Sequence, residues 1–342
     1  MQLNGFTREQ LAGQRLMVGF DGVGLNSDLE YLIGDLKVGG IILFSRNVSH
    51  PEQINALCTD VQAYAKVRRQ PPLFIAIDQE GGQVARLKEP FTLFPGNPSM
   101  VDENDAERFA RITAAELKSV GINMNLAPVM DVAYQGTDSV MTQRAFGADP
   151  VRVSRLGCSV IDHLQQNGIM AVAKHFPGIG RTTVDSHLNQ PVLDIPMQEL
   201  EATDLKPFAA AISHKVAGIM LSHILYAGID DRWPAGMSAR IALGLLRNRM
   251  GYDGVVMTDD LDMGSIKGRY DLPIVIRRVI ASEVDLALIC HKGPDIEQGF
   301  REMLEGIGRS PDTAAKALAS VKRIMALKKE YVYPTVYGHQ KK

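Results

Sequence analysis

The segment AVAKHFPGIGRTTVDSH, residues 171–187, opens as an unbroken apolar run and stops at Lys174 and His175. It then turns through two glycines into Asp185-Ser-His187. An apolar run that halts on charged groups before a glycine-containing turn reads as a strand buried on both faces, its polar end turned toward a site. The form recurs along the chain. Arg15–Phe20, Gly40–Phe44, Leu73–Asp78, Met124–Val129, Gly218–His223, Gly254–Asp259 and Leu286–Cys290 are each short and nearly continuous in hydrophobicity. With Met170–His175 they make eight candidate strands.

Helical periodicity fills the intervals. In Asp105–Gly121, Ala106, Phe109, Ile112, Ala115 and Leu117 mark one apolar face, and the closing glycine suits a C-terminal stop. Asp149–Gly168 and Ser238–Gly251 repeat the pattern. Eight strands alternating with helices predict an α/β fold, a (β/α)₈ TIM-type barrel, possibly irregular. An open doubly wound sheet is the alternative, but neither GxGxxG after the first strand nor GxxxxGK[ST] is present. A single domain is expected, with a core of about 11–327 and a tail, 328–342, running as a surface strap or frayed end.

Lys and Arg total 37 against 39 Asp and Glu, so no global charge draws the chain to nucleic acid or an anionic membrane. Cys58, Cys158 and Cys290 are too widely spaced for a disulfide framework or a CxxC metal site. With no basic-then-apolar leader and no run of about 18 apolar residues, a soluble cytoplasmic protein is expected.

Barrel chemistry collects at the C-terminal ends of the strands. Those positions hold Asp78, Asp131, Lys174-His175, Ser222-His223 and Asp259-Asp260. Taken singly, most have an ordinary structural reading. Asp260 serves equally as a helix cap or a catalytic group, Asp131 and His223 as loop hydrogen-bonders, and Glu80-Gly-Gly82 as a tight turn. A metal held by His175, His187, His223 and Asp259 is disfavoured by the nearby cations Lys174 and Arg86, so no metal or cofactor is expected. Lys174 also invites a Schiff-base reading; neighbouring Asp78 and Asp259 oppose it by favouring the ammonium.

Four motifs in order, IDQEGGQVARL (77–87), QRAFGADP (143–150), KHFPGIGRTTVDSH (174–187) and MTDDLDM (257–263), resemble glycoside hydrolase family 3. Within it they resemble the single-domain β-N-acetylglucosaminidases of peptidoglycan recycling, over about Leu11 to Leu327. The resemblance implies that Asp259 is the nucleophile and that His187, paired with Asp185, is the general acid/base. It implies that Asp78, Arg86, Arg144, Lys174 and His175 hold a terminal N-acetylglucosamine of muropeptide-derived fragments. Residues 177–186 then read as a lid, with Gly178 and Gly180 as its bends. Two departures stand out: Ile179 replaces a common histidine of the loop, and Gln83 a frequent arginine. They leave open a sugar-binding barrel with weak turnover. A glycoside phosphorylase is open as well.

Overall fold

The computed structural model describes residues 5–134, 136, 138–183 and 190–337. Eight strands close a barrel: β1 (Leu16–Val18), β2 (Gly40–Leu43), β3 (Phe74–Ile77), β4 (Met124–Asn125), β5 (Met170–Phe176), β6 (Gly218–Leu221), β7 (Val255–Asp260) and β8 (Leu286–Ile289). Each pairs in parallel with its sequence neighbours, and β1 closes the ring on β8. This is the (β/α)₈ reading; the open sheet is excluded.

The strands are apolar throughout because both faces are covered. Met17, Ile42, Phe74, Met124, Met170, Met220, Met257 and Leu288 fill the barrel. Their alternates, among them Leu16, Ile41, Ile75, Ala171, Ile219 and Val256, pack outward under the helices. Full burial of such a side chain contributes roughly 1.5–3 kcal/mol, so either face turned polar would open the ring. β4 is shorter than its apolar run predicts. Pro128 cannot donate to the ladder, and pairing resumes only at Val129 opposite Lys174.

Several helices start on local caps. Asp102 accepts from the N–H groups of Asn104 and Asp105, so the helix predicted from Asp105 begins at Glu103. Asp149 caps Pro150–Gln166 in the same way. The chain after Leu327 departs from the strap reading. Lys328, Tyr331 and Val332 are buried and pack with Phe74 and Met17 across the N-terminal end of the barrel, because the apolar interior there needs a cover.

Candidate active site

At the opposite end the strand exits surround an open cavity of about 660 Å³, mouth included, a size suited to a small ligand. Its lining includes Asp78, Arg86, Arg144, Lys174, His175 and Asp259. These come from β3, the excursion after β3, the segment after β4, the end of β5 and the end of β7. The structure thus brings together six of the eight residues singled out in the sequence. The other two, Asp185 and His187, lie outside the described residues.

The wall is built from paired charges. Lys174 Nζ lies 2.7 Å from Asp78 Oδ1 and 2.7 Å from Glu80 Oε1. Arg144 meets Glu80 in a fork, donating from Nε at 3.0 Å and from Nη2 at 2.7 Å. Arg86 Nη2 lies 3.5 Å from Asp78 Oδ2. Its backbone is brought there by Gln79, whose Oε1 accepts from the N–H groups of Arg86 and Leu87. Asn125, on β4, clamps Gln79 through both its amide atoms. Burial pushes against charge at Glu80, but Lys174 and Arg144 outweigh it and hold the carboxyl down at about 2. Burial likewise works against the Lys174 ammonium, and Asp78 and Glu80 prevail, so its affinity for the proton is raised. A lysine so held is an ammonium donor, not a free amine poised for a Schiff base.

Asp259 closes the floor. Burial works to raise its pKa, yet His175, His223, the N–H of Asp260 and Lys174 together hold it below the usual carboxylate range. Its Oδ1 accepts from the Asp260 N–H at 2.8 Å. An ionised carboxylate facing a cavity rich in hydrogen-bond donors can act as a nucleophile or stabilise a developing cation.

The neighbouring groups hold this carboxylate in place. Asp260 caps no helix: its Oδ1 accepts from the N–H groups of Asp262 and Cys290, tying the exit of β7 to that of β8 at the edge of the cavity. Buried His223 donates from Nε2 to the Asp260 carbonyl at 2.8 Å, and burial lowers its pKa, so it is a neutral fastener. Asp131 is fully buried behind His175 and accepts from its Nδ1 at 2.7 Å.

The loop after β5 is fastened at its stem. Ile179 donates its N–H to Asp131 at 2.8 Å. Arg181 pairs with Asp204 and Glu199 and stacks over Tyr134. The two stem glycines answer to different demands, Gly178 to a turn of the backbone and Gly180 to close packing. A Cβ on Gly180 would sit 1.9 Å from the Val132 carbonyl oxygen, and Gly178, at φ +124°, presses on Asp204.

Among the described residues, Asp260, Asp262 and His291 are grouped closely enough to hold a metal ion. Their carboxylates are already engaged by Lys267 and by the N–H groups of Asp262, Cys290 and His291, so the cluster is complete as a loop fastening. Glu80 is the residue that sequence reasoning passed over as part of a turn. Its signal was the spacing: two residues beyond Asp78 in extended chain, it faces the same way.

The Glycosyl hydrolase family 3 N-terminal domain matches residues 8–327. A β-hexosaminidase of Pseudomonas aeruginosa is 34% identical over 280 residues, 81% of this chain and 82% of that protein. A family 3 β-N-acetylglucosaminidase from Paenibacillus superposes with a TM-score of 0.92 at 35% identity, over 96% of this chain and 63% of that one. A β-N-acetylhexosaminidase from Beutenbergia cavernae gives 0.87 at 29% identity, over 95% and 99%. A closed parallel barrel, a charged mouth and a family match across nearly the whole chain agree: the chain belongs to glycoside hydrolase family 3 and is a glycoside hydrolase.

Proposed function

We propose that the chain is a retaining exo-β-N-acetylglucosaminidase that removes terminal N-acetylglucosamine from peptidoglycan-derived fragments in the cytoplasm. The observation that carries the reading is the convergence of Asp78, Arg86, Arg144, Lys174 and His175 on one cavity floored by an ionised Asp259. Forked guanidiniums, an ammonium and a carboxylate give the directional hydrogen bonds that sugar hydroxyls require. The related proteins, named as β-hexosaminidase and β-N-acetylglucosaminidase, point to the 2-acetamido sugar. Among the described residues no helix is long and apolar enough to cross a membrane, and all three cysteines are free and buried, which supports a reducing compartment.

In this reading Asp259 attacks the anomeric carbon and the bond to the leaving oxygen breaks. His187, oriented by Asp185, gives that oxygen a proton from the opposite side. The same imidazole then takes a proton from water, and the water cleaves the glycosyl ester with net retention. The loop beyond the fastened stem is taken as the movable carrier of this pair.

A panel of aryl glycosides differing at C2, assayed with and without phosphate, tests the proposal. The expected result is preference for the 2-acetamido sugar with no stimulation by phosphate. Equal rates on the 2-hydroxy sugar, or a phosphorylated sugar as product, would overturn it. Histidine 187 has its own signature: His187→Ala depresses hydrolysis of poor leaving groups far more than of nitrophenolate, which leaves without a proton.

A further inference from the structure

We propose that Asp131 is a positioning residue that keeps a proton on Nδ1 of His175, so that whenever the ring is neutral its Nε2 lone pair faces the cavity as an acceptor. The proposal rests on the reading that His175 meets the sugar.

The argument starts from what surrounds the carboxylate. Asp131 is fully buried at the exit of β4, directly behind the end of β5. Its Oδ1 accepts from the Ile179 N–H at 2.8 Å, and both oxygens lie 3.3 Å from the His175 N–H. Those backbone groups can only donate. The carboxylate therefore serves as acceptor on this side, and its remaining close partner is His175 Nδ1, 2.7 Å from Oδ2. A carboxylate oxygen can only accept, so Nδ1 carries the proton. The ring lines the cavity. Among the described residues its Nε2 makes no hydrogen bond within the protein, so that nitrogen is available to a ligand.

The consequence is a wall with both kinds of partner. Lys174 and Arg144 offer only N–H groups, whereas a sugar hydroxyl is a donor as well as an acceptor. Beside the carboxylates of Asp78 and Asp259, an Nε2 lone pair gives a further place for a hydroxyl proton. With the opposite tautomer the wall would gain one more donor and lose that acceptor. One carboxylate thus sets the polarity of a binding group and anchors the loop stem through Ile179.

Asp131→Asn puts the idea at risk in a specific way. The Ile179 N–H needs an oxygen, so the amide oxygen takes the Oδ1 place and the NH₂ lands opposite Nδ1. Two donors cannot face each other, and the imidazole must carry its proton on Nε2 instead. Histidine-selective ¹⁵N NMR on the full chain, at alkaline pH where imidazoles are neutral, reads the tautomer directly. The His175 signals are assigned by their loss in His175→Ala. The expected result is Nδ1–H in the parent and Nε2–H in Asp131→Asn, with KM for the aryl N-acetylglucosaminide raised on the order of 10–100-fold. A parent ring protonated on Nε2 overturns the proposal and needs no variant. So does an Asp131→Asn protein that keeps both its tautomer and its KM. If His175→Ala itself leaves KM unchanged, the reading that His175 meets the sugar is what fails, while the spectrum still decides the tautomer.

Discussion

Both ends of this barrel bury charge, but they use it differently. At the N-terminal floor Asp285 is fully buried and accepts from Arg247, Arg323 and the Val256 N–H. Arg15 donates to the Val284 carbonyl, and Lys328 sits over the Phe74 ring with Nζ on Gln14 Oε1. Each of these contacts joins protein to protein. At the C-terminal mouth Asp78, Glu80, Arg144 and Lys174 are paired just as tightly, but around an open cavity that leaves hydrogen-bonding capacity facing it. Buried charge alone therefore does not mark a site; charge beside an accessible hollow does.

That contrast can be broken or sharpened by mutation. The largest effect is expected at the mouth, where Asp259→Ala should lower kcat for an aryl N-acetylglucosaminide on the order of 10⁴-fold or more, with the melting temperature little changed. Steady-state kinetics and calorimetry on one preparation check both halves.

Glu80→Gln should act on activity and stability together. It leaves Lys174 and Arg144 without their shared anion, so a loss of roughly 3 kcal/mol at neutral pH is expected. The sign with pH follows from the carboxyl, which titrates at about 2 in the folded chain against an ordinary value of 4.5. Its contribution is complete above the ordinary carboxylate range and fades as pH falls toward 2. Denaturant melts of the two proteins should therefore converge on acidification; a constant gap would contradict the pairing.

The smallest effect is expected at the floor. Burial pushes the Lys328 ammonium well below its ordinary range. A base so depressed weakens the fold while the unfolded chain is protonated, so stability rises as pH climbs toward the ordinary lysine value. Lys328→Met should abolish that rise, so that its stability relative to the parent is greatest at neutral pH and falls as pH climbs toward the ordinary lysine value, and should leave kcat untouched. A loss of activity would mean that the two ends are coupled.

The same contrast explains what was legible beforehand. The eight strands could be read because a parallel barrel buries both faces of each, and an unbroken apolar run such as Phe74–Ile77 has few other uses. The mouth could be read because charged groups sat at the ends of those runs. What escaped depends on partners distant in sequence. Glu80 became visible only when Arg144, 64 residues away, closed on it. Asp131 took its meaning from a ring 44 residues on. Gly180 read as a bend because sequence gives flexibility but not the Val132 carbonyl that forbids a side chain, whereas Gly178 does turn the chain at φ +124°. The chain after Leu327 read as a strap because the opening it covers belongs to strands elsewhere.

The central claim is that Asp259 forms a covalent bond to the sugar. It is tested most directly by incubating the enzyme with a 5-fluoro N-acetylglucosaminyl fluoride, which slows turnover of the glycosyl ester, and mapping the added mass by peptide mass spectrometry. The account predicts one sugar per chain, attached to the peptide that contains Asp259 and absent from Asp259→Ala. A label on another carboxylate, or turnover with inverted configuration and no adduct, would contradict it.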